Sequence, residues 1–330
     1  MSKKIAVIGS GSWGVGISIL LNNNGYDPYI WSFDENEAKN INEKRECIFL
    51  PGIKLDENIK CSTKFEDVIP DSKFILIVTP SKFFRSTIQK FKHLVKPEQH
   101  IVICSKGLED GTLKTLAEVS EDELPLNKVG ILSGPSHAEE VARNLPTTIV
   151  LCSKHDELIE DLQDIFMSPV FRVYTSKDVI GVEVGGAIKN IMALACGIAA
   201  GMGYGDNTFA ALITRGLAEI SRLGEKMGGE RATFYGLTGL GDLIVTCMSN
   251  HSRNRRAGIL IGQGKTIEEA KKEIGMTIES IDNIKTAYKL SKKYDVEMPI
   301  VETVYQVLFE GLDARRAIAD LMTRNPKFED

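Results

Sequence analysis

Lys4-Ile5-Ala6-Val7-Ile8-Gly9-Ser10-Gly11-Ser12-Trp13-Gly14 is the stretch that decides the architecture. Its first five residues read as a buried strand and 15–21 continues as a helix, so the Gly-x-Gly-x-x-Gly run sits at a strand-to-helix turn. In that setting each glycine has a physical reason. Gly9 makes the tight turn, Gly11 lets the backbone approach a pyrophosphate, and Gly14 permits close packing of helix on strand. The amides freed at the helix N-terminus then face the phosphates. An ordinary glycine-rich turn is the plain alternative, and the flanking strand and helix argue against it.

Working outward, β-branched runs at 28–33, 74–78, 100–104, 128–132 and 147–152 alternate with helical patterns. Such repetition implies a parallel sheet with helices on both faces. Residues 184–228 lack strand runs and are rich in Ala, Gly, Leu and Ile, and 266–322 also reads helical, broken near Pro299. The expected fold is α/β: a Rossmann-type parallel-sheet domain over 1–188 that binds a dinucleotide, and an all-α substrate-binding domain over 189–330. A chain of 330 residues is comfortable for two such domains.

Composition narrows the function classes. A net charge of −5 gives no general attraction to nucleic acid or acidic membranes, so an anion must be held by a local basic pocket. The six cysteines form no CxxC pair and read as reduced, buried thiols, and the five histidines show no ligand spacing, so no metal is expected. The N-terminus runs straight into a strand pattern without a signal-peptide layout, and no apolar run reaches spanning length. A cytoplasmic protein without membrane insertion is expected. The apolar helical half is compatible with a homodimer interface or with an internal core.

The loops after the strands carry the chemistry, because ligands of an open parallel sheet collect at the strands' carboxyl ends. After the second strand, Phe33-Asp34 places a carboxylate where a ribose would lie. It would accept from ribose hydroxyls and repel a 2′-phosphate, favouring NAD over NADP, although Asp there also serves as a helix N-cap. Val78-Thr79-Pro80-Ser81, Cys104-Ser105-Lys106-Gly107 and Leu132-Ser133-Gly134-Pro135-Ser136 turn small and polar as their strands end. Lys106 is a cation placed for an anionic substrate, or else a solvated turn lysine. Lys189 and Asn190 stand at the head of an apolar helix, where an unpaired ammonium is costly to bury. A lysine of lowered pKa facing a cleft can give a proton to the oxyanion formed when hydride adds to a ketone, and the alternative is a lysine snorkelling to solvent. Asp242 closes a glycine-rich turn. Ser252-Arg253-Asn254 offers a hydroxyl, a guanidinium fork and an amide to a phosphate, though alone it reads as a charged surface run.

Together, Gly9-Ser10-Gly11-Ser12-Trp13-Gly14, Ser105-Lys106-Gly107, Leu132-Ser133-Gly134-Pro135-Ser136-His137-Ala138, Gly185-Gly186-Ala187-Ile188-Lys189-Asn190, Thr238-Gly239-Leu240-Gly241-Asp242 and His251-Ser252-Arg253-Asn254 resemble bacterial NAD(P)-dependent glycerol-3-phosphate dehydrogenase. The motifs keep the family's order across nearly the whole chain. The resemblance implies reduction of dihydroxyacetone phosphate to sn-glycerol 3-phosphate for glycerophospholipid synthesis in the cytoplasm. It implies that Ser12, Trp13, Ala138, Thr277 and Glu279 touch the cofactor, with Lys106 and Arg253 reaching both cofactor and substrate, while Phe33 and Asp34 are placed at the cofactor by the reading of the second strand's end. It implies that Gly134, Ser136, Asp242, Ser252 and Asn254 bind substrate and that Lys189 transfers the proton.

Two departures stand out. Many bacterial members carry a basic pair where this chain has Phe33-Asp34, so NAD is expected to be preferred, with NADP also used in the family. Ser280 replaces a usual glycine and Thr277 a usual aliphatic residue, which weakens the assignment of Glu279. Two rivals remain: a related two-domain dehydrogenase acting on a hydroxy acid or sugar acid, since Arg253 suits a carboxylate too, and a non-catalytic dinucleotide sensor. The sensor would have no need for Lys189, Asp242 and the 252–254 donors together.

Overall fold

Strand and helix alternate through the first half of the chain in the computed structural model, which describes residues 3–326, 328 and 329. Eight strands, β1 (Lys4–Ile8), β2 (Asp27–Trp31), β3 (Lys60–Ser62), β4 (Phe74–Ile77), β5 (His100–Ile103), β6 (Val129–Ser133), β7 (Thr147–Ser153) and β8 (Phe171–Ser176), form one sheet. Their order is β3-β2-β1-β4-β5-β6-β7-β8. β1 and β4–β6 are buried along nearly their whole length, which explains their unbroken apolar runs. One apolar cluster, with Val7, Leu20, Leu76 and Leu132, packs on one face and a second, with Ile8, Ile77, Phe84 and Ile103, on the other.

The sheet departs from the expected pattern in two respects. β7 pairs antiparallel with β6, because only a short helix and loop connect them and no crossover returns the chain to the same end. β3 and β8 were not anticipated. β3 has only three residues, and β8 is an edge strand with three of its six side chains exposed, so neither presents the continuous apolar run of a central strand.

The helical half is organised around the helix Val179–Gly201, which is buried along almost its entire length. This helix continues out of the sheet domain, so the division expected at 188/189 falls in its middle. Lys189 and Asn190 lie mid-helix, not at its head, and the side chain that caps the helix start is that of Asp178, accepting from Gly181 N. The helix is also long and apolar enough to cross a membrane, contrary to the expectation from the sequence. However, 94% of its most apolar stretch is covered by the rest of the protein, which makes it a core helix. Against it lies the helix Arg253–Gly262. A Cβ on Gly197 would lie 2.1 Å from the Arg255 carbonyl oxygen, and one on Gly258 2.2 Å from that of Leu194, so the two backbones touch directly.

All six cysteines are free and buried. Among the described residues no group of three His, Cys, Asp or Glu side chains could hold a metal ion.

Candidate active site

The chain lays β2 and β3 on one side of β1 and then crosses back to β4 on the other, so the connections diverge between β1 and β4. A crevice forms at such a switch point. Here it widens into a cleft of about 790 Å³ whose walls come from both halves of the chain.

The glycine loop forms one wall. Gly9 has φ +127°, a region L side chains rarely adopt, and a Cβ on Gly14 would lie 2.0 Å from the Gly9 carbonyl oxygen. A Cβ on Gly11 would meet no protein atom within 4 Å, so the bare backbone faces the open cleft. Gly11 is the N-cap of the helix Ser12–Asn23 and no side chain caps it. The first-turn amides of Ser12, Trp13 and Gly14 therefore have no partner within the helix, and these residues fit a dinucleotide pyrophosphate in chemistry and in space.

At the outer end, Phe33 is 84% exposed and lies beside Asp34 on the cleft rim. Asp34 is also an N-cap, its Oδ1 accepting from Asn36 N at 2.7 Å and Glu37 N at 3.3 Å. The cap reading of this residue is the one the structure displays; it uses one carboxylate oxygen, and the residue also lines the cleft.

The inner end is ionic. Lys189 Nζ donates to Asp242 Oδ1 at 2.5 Å and to Thr246 Oγ1 at 2.8 Å, while Lys106 Nζ donates to Asp242 Oδ2 at 2.6 Å and to the Gly134 carbonyl at 2.9 Å. One buried carboxylate is held between two ammonium groups. Burial pushes the Lys189 pKa down to about 8; Asp242 opposes the shift and Lys106 adds to it. Burial alone would raise the Asp242 pKa, but Lys106 and Lys189 outweigh it and hold the carboxyl below its ordinary value. An ammonium has three donors. Two of those on Lys189 are used, which leaves one N–H for a ligand oxygen.

The 252–254 segment closes the inner end. Ser252 caps its own helix by accepting from Arg255 N at 3.2 Å, and Arg253 Nη1 donates to the Thr277 carbonyl at 3.1 Å. Asn254 is more committed than expected, because Nδ2 donates to Asn190 Oδ1 and Oδ1 accepts from Ser280 N, both at 3.0 Å. Glu279 reaches across to the sheet domain, where its carboxylate accepts from Ser81 Oγ at 2.6 Å and Ser81 N at 3.3 Å.

Of the residues singled out from the sequence, Gly9, Gly11, Ser12, Trp13, Gly14, Phe33, Asp34, Lys106, Ser136, Ala138, Lys189, Asp242, Ser252, Arg253, Asn254, Thr277 and Glu279 all line this cleft. Gly134 does not. With φ +135° it packs on Ile149, and only its carbonyl contributes, accepting from Lys106 and from Ser136 Oγ. The sequence reading singled out neither Thr246 nor Glu37 and gave no role to His137 or His251 within their motifs, yet all four line it. Thr246 was discoverable, since it lies four residues after Asp242 and so shares its helix face. His137 and His251 come from different halves of the chain, with ring centroids 5.7 Å apart, and no spacing in the sequence announces that pairing.

Hydride chemistry needs a dinucleotide held at one end of a cleft and a proton donor at the other, and this cleft takes the first from the sheet half and the second from the helical half. That is the layout of a two-domain nicotinamide-dependent dehydrogenase. Comparison with known proteins narrows the class: the chain belongs to the NAD-dependent glycerol-3-phosphate dehydrogenase family, whose N-terminal model matches residues 4–159 and whose C-terminal model matches 178–319. The glycerol-3-phosphate dehydrogenase (NAD(P)+) of Fusobacterium nucleatum is 54% identical over 329 residues, covering 99% of this chain and 98% of the relative. That of Agathobacter rectalis is 51% identical over 327 residues, covering 99% and 97%. The solved glycerol-3-phosphate dehydrogenase of Coxiella burnetii superposes with a TM-score of 0.95 at 38% identity, covering 98% of this chain and 99% of that one.

Proposed function

We propose that this protein interconverts dihydroxyacetone phosphate and sn-glycerol 3-phosphate with NAD(H) as the preferred dinucleotide, in the cytoplasm, supplying the backbone of glycerophospholipids. The observation that carries the reading is the Lys189–Asp242–Lys106 set at the inner end of a dinucleotide cleft, in a chain of this family.

The glycine loop would hold the pyrophosphate and Asp34 the ribose. Bound there, the nicotinamide supplies the hydride for reduction. As a C–H bond forms at the ketone carbon, the carbonyl π pair moves to oxygen. The free N–H of Lys189 faces that oxygen and gives it a proton, and oxidation returns the proton to the neutral amine. Asp242 and Thr246 fix the ammonium in place, so little reorganisation is needed as charge develops. Arg253 and Ser252 would carry the substrate phosphate, with Lys106 adding positive charge on the same side of the cleft.

The test is absorbance at the reduced-nicotinamide band with purified protein and dihydroxyacetone phosphate, run in parallel with NADH and NADPH. Faster oxidation of NADH is expected. Equal rates would remove the preference assigned to Asp34, and oxidation of neither would require another ketone substrate.

A further inference from the structure

Asp34-Glu35-Asn36-Glu37 has the spacing of a capping box, in which the side chain of the third helical residue reaches back to the N-cap amide. Here that return bond is not made. The Asp34 amide donates instead to Ser32 Oγ at 3.1 Å, and Ser32 Oγ is itself 2.8 Å from Ser10 Oγ in the glycine loop. Glu37 is thus released from its ordinary local role on a helix of only five residues.

It does not turn to solvent. Glu37 is only 7% exposed, lines the cleft with the glycine loop and Asp34, and its Oε2 is buried without a hydrogen-bond partner. An unpartnered buried carboxylate oxygen is costly and is rarely retained without a reason. The charged and polar surroundings point the same way. Burial pushes the Glu37 pKa up, the Ser10 hydroxyl opposes this, and the Asp34 carboxylate adds to the rise.

Resting on the dinucleotide reading of this cleft, the geometry points to Glu37 as a second specificity residue at the ribose end, which together with Asp34 selects NAD(H) over NADP(H). A ribose 2′-hydroxyl brings no charge toward Asp34 and Glu37 and can donate to the Asp34 oxygen that the cap leaves free. A 2′-phosphate brings negative charge and only acceptors toward two carboxylates, one of them buried, where like charges are poorly screened. Because half of Asp34 is committed to its cap, the discrimination is shared between two residues, not carried by the first alone.

The test measures binding and needs no turnover. Both tryptophans of the chain, Trp13 and Trp31, line the cleft, so quenching of their emission reports dinucleotide occupancy. The parent, Glu37→Gln and Glu37→Asp are titrated with NADH and with NADPH. The parent should bind NADH more tightly. In Glu37→Gln the NADPH-to-NADH ratio of Kd values should fall about tenfold, the scale of removing one nearby unit charge, whereas Glu37→Asp, which keeps the charge, should stay near the parent. An unchanged ratio in Glu37→Gln would overturn the proposal, as would equal changes in both variants, which would indicate packing and not charge. Equal affinity of the parent for both dinucleotides would overturn it too. Failure to turn over dihydroxyacetone phosphate would bear only on the substrate and would leave these binding ratios readable.

Discussion

Lys189 is placed so that its proton is loosely held: it is buried, yet it lines the cleft. Its ammonium loses hydration on burial, is partly compensated by Asp242, and is pushed down again by Lys106, which brings its pKa to about 8. The two directions of the reaction need opposite states of this group. Reduction requires the protonated form, so kcat/KM for the ketone should fall as pH rises through about 8, while for oxidation it should climb through the same region and then level off. Lys106→Gln removes a cation that lowers the Lys189 pKa, so both limbs should move to higher pH, in addition to any loss of rate. Initial-rate pH profiles in both directions check this. A limb that stays in place after the substitution would show that Lys106 does not tune Lys189. Most of this set could be read from the sequence, because a lysine beside a long apolar run and a lone carboxylate in a glycine-rich turn are conspicuous, although the lysine was expected at the helix head and lies in its middle. Their convergence on one another was supplied by resemblance, and Glu37 was invisible because its spacing imitates a local cap.

At the scale of elements, the strands buried on both faces were legible because each is a continuous β-branched run, and the glycine loop because it joins a strand to a helix. β3 and β8 escaped because a three-residue strand and a half-exposed edge strand carry too little apolar pattern. The start of the long central helix was misplaced because burial on every side removes the amphipathic rhythm that would mark its first turn. The same burial makes its contact with the helix Arg253–Gly262 demanding. That helix begins with the donors Ser252, Arg253 and Asn254, and its distance from Lys189 is set where Gly258 meets the Leu194 carbonyl. Gly258→Ala forces a methyl onto backbone, which cannot rotate aside, and should cost roughly 1–3 kcal/mol. It should also raise KM for the phosphorylated substrate more than it weakens NADH binding, because the donors move and the glycine loop does not. Gly205→Ala is the matched control, since a Cβ there meets nothing within 4 Å. Denaturant melts and steady-state kinetics separate the two effects, and equal behaviour of the two variants would show that the helix contact does not position the site.

Across the whole molecule, carboxylates tie the sheet and the helices together, some of them at the cleft and some away from it. Glu279 accepts from Ser81, Asp282 pairs with Lys82 at 3.2 Å, Asp110 with Lys289 at 2.7 Å, and both Glu183 oxygens accept from Ala117 N at 3.1 Å. Glu219 plays a comparable part within the helical half, accepting from Ile300 N and Val301 N at 2.7 and 3.2 Å to cap the helix Pro299–Phe309. Burial outweighs these amide donors and raises the pKa of Glu183 and of Glu219 to about 7. A carboxyl whose pKa is higher folded than unfolded stabilises the fold below its unfolded value, near 4.5, and loses that contribution as pH rises toward 7. Total stability will not show this cleanly, because burial lowers the pKa of His100 and His137, which favours the folded state in the opposite direction. The difference between parent and Glu219→Gln removes those shared contributions. Glutamine keeps an oxygen acceptor for the helix start and carries no charge at any pH. The parent should therefore gain roughly 2 kcal/mol relative to Glu219→Gln between pH 8 and pH 5.5, measured by urea unfolding at both pH values. An identical difference at the two would mean that Glu219 ionises as it does in the unfolded chain, with the capped helix start fully offsetting the loss of water.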